Sequence, residues 1–181
     1  MTKSYSLVAD AIKANGDALF SCYVKVPRHV VKKNGRPTRR IHQRNKFGLL
    51  KSRSFPGKSP ELVQAESHLI HAFRAAMLRH KDFNMLTGPM WCVFLFYFPA
   101  DQFFVKNGAR RGKLSGRLPD LSNLYELPQD CLQKAGVIEN DHLICSHDLS
   151  RRLPGQTYAL ELFIFSHPLD VSRGPDLQVV K

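Results

Sequence analysis

A chain of 181 residues, 43% of them apolar, fits one globular domain with a core of its own. Its net charge of +12 makes polyanions the favoured partners, since each phosphate neutralised releases a counterion. No apolar run approaches the roughly 18 to 20 residues of a membrane span, the first residues lack a signal-peptide core, and Cys22, Cys92, Cys131 and Cys145 form no CxxC pair, which points away from zinc and disulfides and towards buried thiols in a reducing cytoplasm.

In chain order, residues 1–16 read as an N-terminal extension, 17–166 as the domain and 167–181 as a tail with little periodicity. Residues 17–26 alternate as a strand, with Phe20, Cys22, Val24 and Val26 on one face. From Ala18 to Pro60 the chain holds no acidic residue, while Arg28, Lys32, Lys33, Arg36, Arg39, Arg40, Arg44 and Lys46 fall inside it, which predicts an extended or looped basic arm. A helix follows, with Ser59 to cap it, Pro60 at its first position and Glu61 at its positive end. Leu62, Ala65, Leu69, Ile70, Phe73, Ala76 and Met77 give it a core stripe. Residues 90–98 are apolar without alternation, as in a central strand covered on both faces, and Trp91 is expected in the core.

Residues 99–119 read as a mobile loop carrying a second basic cluster, Arg110, Arg111, Lys113 and Arg117. The next helix spans 121–135 and ends at Gly136, with Leu121, Leu124, Pro128, Cys131 and Ala135 buried. A short strand is expected at about 143–146 and a longer one at 156–165, the latter with Tyr158, Leu160, Leu162 and Ile164 on one face. The whole predicts an α+β domain, a small mixed sheet with two main helices packed against it.

Acidic residues concentrate between Asp120 and Asp148, against the basic trend of the chain. Asn123, Glu126, Asp130 and Lys134 recur at spacings of three and four and line one helix face. Asp120 stands at the positive end of that helix, and a returning strand could carry Asp141 back towards it. Carboxylates gathered near DNA are reconciled with phosphate by a shared divalent cation. Alternatively, Asp120 is an ordinary helix cap, Glu126 a surface charge and Asp141 a turn residue. Phe103 and Phe104, in the basic loop, could stack on bases or pack beneath the loop. His142 is expected as a hydrogen-bonding neighbour of Asp141.

The run PDLSNLYELPQDCLQKAGVIENDHLI, from Pro119 to Ile144, resembles the signature of the RusA-like crossover-junction endodeoxyribonucleases, with Asp120, Asn123, Leu124, Asp130, Leu132, Gly136 and Asp141 in matching places. The order of elements from residue 17 to 166 agrees with that family as well. The resemblance implies a homodimeric, Mg²⁺- or Mn²⁺-dependent endonuclease that nicks four-way (Holliday) junctions symmetrically in recombination and repair. It assigns Asp120 and Asp141 as metal-binding catalytic carboxylates, with Asp130 on the same helix as a further candidate. Ser122 replaces the family's second Asp and Glu126 its catalytic Lys, and the acidic pair before the strand is reduced to Asn140 and Asp141. Glu126, one helical turn from Ser122, is expected to restore the lost ligand. Arg151, Arg152 or Lys113 would restore the lost positive charge. Phosphate contacts are expected from the arm, from the basic loop and from Arg151 and Arg152. A nuclease for flaps and a basic DNA-binding relative without cleavage are the alternatives.

Overall fold

The computed structural model describes residues 17–29, 38–44, 50–56, 58–79, 82–106 and 111–167, the stretch from 38 to 56 by backbone alone. The extension at 1–16 and the tail beyond His167 lie outside it, as do Lys32, Lys33, Arg36, Lys46 and Arg110. The architecture is the expected α+β one, a five-stranded mixed sheet with helices on one face.

Strand β1 (Phe20–Lys25) pairs antiparallel with β7 (Ala159–Ser166), and β7 pairs antiparallel with the long central β4 (Met90–Pro99). The other edge of β4 takes two short parallel strands in succession. These are β5 (Ile144–Ser146) at Met90 and β6 (Arg151–Gly155) from Leu95 to Pro99. Within the basic arm, β2 (Thr38–Arg44) and β3 (Leu50–Pro56) form a separate antiparallel hairpin, the extended form of the two that its composition allows, here paired into a ladder.

Helix α1 (Pro60–Met77) starts as its sequence dictates, with the Ser59 hydroxyl accepting from the Leu62 amide at 3.1 Å. It packs against β1 and against α3 (Leu121–Ala135), which ends at Gly136 in the left-handed conformation, φ 83°. Both helices cover one face of the sheet. There Phe20, Phe73, Phe94, Leu124, Leu132 and Leu162 form the main core. The other face holds a smaller cluster around Val93, Leu95 and Phe165. Trp91 is half-buried there and not fully in the core, because its indole N–H must reach the Asp148 carbonyl at 2.9 Å. Among the described residues, no helix is long and apolar enough to cross a membrane.

Several expectations need correction. The 99–119 stretch contains a one-turn helix α2 (Ala100–Phe103) and is folded back on itself. Phe104 bridges Leu114, and the Val105 amide donates to the Lys113 carbonyl at 2.9 Å. Phe103 is buried there, while Phe104 is exposed. Of the cysteines, Cys92 and Cys131 are buried thiols, Cys22 is half-buried and Cys145 is exposed. Strand β6 was not expected at all, since an Arg-Arg-Leu-Pro-Gly run has no strand period and Pro154 removes a ladder donor.

Glu66 is the main polar group buried between the helices, and both lysines that reach it, Lys58 and Lys134, keep about half their side-chain surface in solvent. Burial pushes the Glu66 carboxyl up, but hydrogen bonds and charge from Lys134 and Lys58 outweigh it and hold the carboxyl below its ordinary value. A depressed folded-state value stabilises the fold above the unfolded pKa, near 4.3, and that contribution disappears as pH falls through the folded value. Glu66→Gln is therefore expected to cost about 1 to 2 kcal/mol at pH 7 and to flatten the acid side of the stability profile. Urea unfolding at pH 7 and pH 3 checks this, and unchanged curves for the variant would remove Glu66 from the account.

Candidate nucleic-acid interface and reaction centre

Helix α3 lies antiparallel to β4. At its C-terminal end the Leu86 amide donates to the Val137 carbonyl at 2.9 Å and the Glu139 amide to the Leu86 carbonyl at 3.0 Å, just before β4 begins. At its N-terminal end the Arg152 guanidinium donates to the Pro119 carbonyl at 3.0 Å, and Arg152 stands in register with Phe96 of β4. Asp120 is the N-cap residue there, exposed, and its side chain makes no capping hydrogen bond. The carboxylate is thus left available at the positive helix end, one residue after the carbonyl that Arg152 holds.

Asp141 sits elsewhere. It opens a short 3-10 turn (Asp141–Leu143) that leads into β5, where Ile144 is level with Met90. Between the levels of Met90 and Phe96 the strand rises about 20 Å, much the length of a 15-residue helix. One chain therefore holds Asp120 and Asp141 at opposite ends of α3. His142 pairs with Asp141 through Nδ1 at 3.2 Å, as a neighbour of that carboxylate. Among the described residues, no three His, Cys, Asp or Glu side chains lie close enough together to hold a metal ion. Among the described residues, Asp120 and Asp141 of one chain therefore do not come together at one site.

The polar stripe of α3 is divided between neighbours. Lys134 reaches across to Glu66 of α1, and Asp130 lies within electrostatic range of Lys134. Asn123 and Glu126 are half-buried. On the β5–β6 side, the rings of Tyr125 and His147 stack at 4.5 Å and 7°, backed by Phe94. The Gln129 amide donates to the His147 ring at 2.5 Å, and burial lowers the His147 pKa, so the ring is neutral at pH 7. Burial likewise raises the Tyr125 pKa, against a side-chain hydrogen bond shared with Ser150.

Sequence reasoning did not pick out this cluster, and its only local mark is the turn that follows. Leu149 there adopts φ 68°, unusual for a residue with a Cβ. The turn swings Ser150 under the gap between β5 and β6, where its hydroxyl accepts from the Phe94 amide at 2.9 Å and donates to the Cys92 carbonyl at 3.4 Å. A side chain thus completes the edge of β4 where no strand does.

The cations fall into groups. Arg151 is exposed and Arg152 half-buried on β6, close to the N-terminal end of α3, and Arg117 is exposed three residues before Asp120. Arg111 and Lys113 are exposed in the folded loop, and Arg28 is exposed just after β1. Arg39, Arg40 and Arg44 stand on β2 of the hairpin. No protein-family model matches the chain, and no curated protein matches it, so the resemblance rests on the residues themselves.

Proposed function

We propose that the chain is a divalent-metal-dependent endodeoxyribonuclease for branched DNA, four-way junctions foremost, that acts as a homodimer in recombination and repair. The observation that carries the reading is the setting of Asp120, an uncapped carboxylate at a helix N-terminus, with Arg117 three residues before it in the chain and Arg152 held on the carbonyl of the preceding Pro119. Cations there hold a phosphodiester against a carboxylate, which cations on an ordinary solvated face would not do. The separation of Asp120 from Asp141 fits the dimer. If two copies of α3 lie antiparallel about a twofold axis, Asp120 of one meets Asp141 of the other at two equivalent centres. Two such centres suit the two equivalent strands of a junction.

Arg117, Arg151 and Arg152 would bind and orient the phosphate, and Arg152 is already held by the Pro119 carbonyl. Asn123 and Glu126, on the helix face next to Asp120, would position the attacked group. When bound, Mg²⁺ or Mn²⁺ supplies charge neutralisation and water activation at the phosphodiester.

The test is cleavage of end-labelled four-way junction, flap and linear duplex, with Mg²⁺, Mn²⁺ or EDTA. Paired, metal-dependent nicks across the junction, at least tenfold faster than on duplex, are the expected result. A preference for the flap would make the chain a different branched-DNA nuclease. Tight junction binding without nicks in either metal would make it a DNA-binding relative in which Ser122 and Glu126 mark lost catalysis.

A further inference from the structure

A cleft of about 1330 Å³ runs from the root of the basic arm to the N-terminal end of α3, with Leu118 and Pro119 at that end. It exceeds the roughly 300 to 1,000 Å³ that small ligands fill, so it suits a stretch of polymer. One wall is the N-terminal half of α1 and the other is the folded 99–119 loop. His29 and Ser59, on either side of the arm in the chain, both line the cleft.

The chemistry of the lining is divided. The rim carries Arg28, Lys106 and Arg117, opposed by Glu61 and by Asp101, which pairs with Lys106 at 3.3 Å. The floor is aromatic. Tyr158 meets Phe98 edge-to-face at 5.7 Å, and its hydroxyl donates to Gln102. His29 packs edge-on to Tyr158 at 5.4 Å, and its Nε2–H donates to the Tyr97 carbonyl at 2.8 Å. Burial lowers the His29 pKa to about 4, so the floor carries no charge at neutral pH. At the mouth stands Phe104, 38% exposed and seated edge-on against buried Phe103. An exposed ring seated on a buried one, in a cleft that arginines also line, is a stacking platform for a base whose phosphates the arginines hold.

We propose that this cleft binds the unpaired strand at the branch point of DNA, with Phe104 stacking on an extruded base and Arg28 and Arg117 holding the flanking phosphates. Bases paired and stacked inside a duplex do not present a face to Phe104, so the cleft selects single-stranded or opened DNA. Because it ends at Pro119, the strand it holds is led to Asp120. The inference rests on the branched-DNA reading but not on cleavage.

The test is binding in EDTA of a single strand and a four-way junction carrying 2-aminopurine, with a linear duplex as reference, by wild type, Phe104→Ala and Phe104→Trp. The wild type should quench 2-aminopurine fluorescence. Phe104→Ala should lose the quenching and bind single strand and junction about tenfold more weakly. Its duplex affinity should stay unchanged, and Phe104→Trp should restore the wild-type pattern. Wild-type behaviour of Phe104→Ala, or an equal loss on duplex, would overturn the proposal, as would filling of the cleft by the arm, which predicts no effect on single strand. If the wild type binds no DNA of any form, the branched-DNA reading falls with it. Normal junction binding with no role for Phe104 sinks the cleft alone.

Discussion

Asp120→Asn and Asp141→Asn are each expected to lower junction cleavage roughly a thousandfold while leaving junction binding within a fewfold of wild type. Each change removes a charge and keeps the shape, so an effect on the chemical step is separated from an effect on the fold. Asp120 makes no capping bond and is exposed, and among the described residues the Asp141 carboxylate pairs with its neighbour His142. Neither loss should therefore cost much stability. Single-turnover cleavage beside thermal melting checks both halves. A variant that melts early but cleaves at the normal rate per folded molecule would remove that aspartate from the centre.

The largest stability effect is expected at Phe94, which is fully buried at the middle of the central strand. Its ring stacks with Phe96 at 6.1 Å and supports both Tyr125 and His147. Phe94→Ala would leave a cavity at the contact of sheet and helix and should cost about 3 to 5 kcal/mol, a large part of the 5 to 15 kcal/mol typical of a domain. The same cavity loosens the ring pair that packs α3 onto β5 and β6. Cleavage should therefore fall even under conditions where the variant is folded. Denaturant unfolding gives the first figure, and a cost below about 1 kcal/mol would mean that the site collapses around the gap.

How far the sequence shows these features depends on whether the signal is local. Helix α3 was legible to the residue because its boundaries are chemical, with Asp120 before it and a left-handed Gly136 after it. The start of α1 was legible for the same reason, through Ser59 and Pro60. β4 announced itself as an unbroken apolar run because both its faces are covered. β6 was not legible, since it is a strand only by pairing with Leu95 to Pro99, and nothing in Arg151 to Gly155 states that partner. Glu66 was hidden too, because its burial depends on Lys58 from the preceding turn and Lys134 from another helix.

At the candidate site, each carboxylate's own element was readable but their meeting was not. A strand returning from a helix must run back along the helix's length before it reaches the N-terminal end. Asp141 comes only five residues after the Gly136 cap, and the strand proper begins at Ile144 beside Met90. Chain direction therefore keeps the two aspartates apart within one chain, and in the proposed dimer a second copy would bring them together. The His147–Tyr125–Gln129 group escaped notice because its residues belong to two elements with no shared spacing.

The central claim is that Asp120 and Asp141 serve one centre from two chains, and mixing the two inactive variants tests it. Asp120→Asn and Asp141→Asn subunits, unfolded together and refolded as a one-to-one mixture, should recover junction cleavage to about a quarter of the wild-type rate. Half the dimers are then mixed, and each mixed dimer has one intact centre. A mixture as inactive as either variant alone would contradict the account.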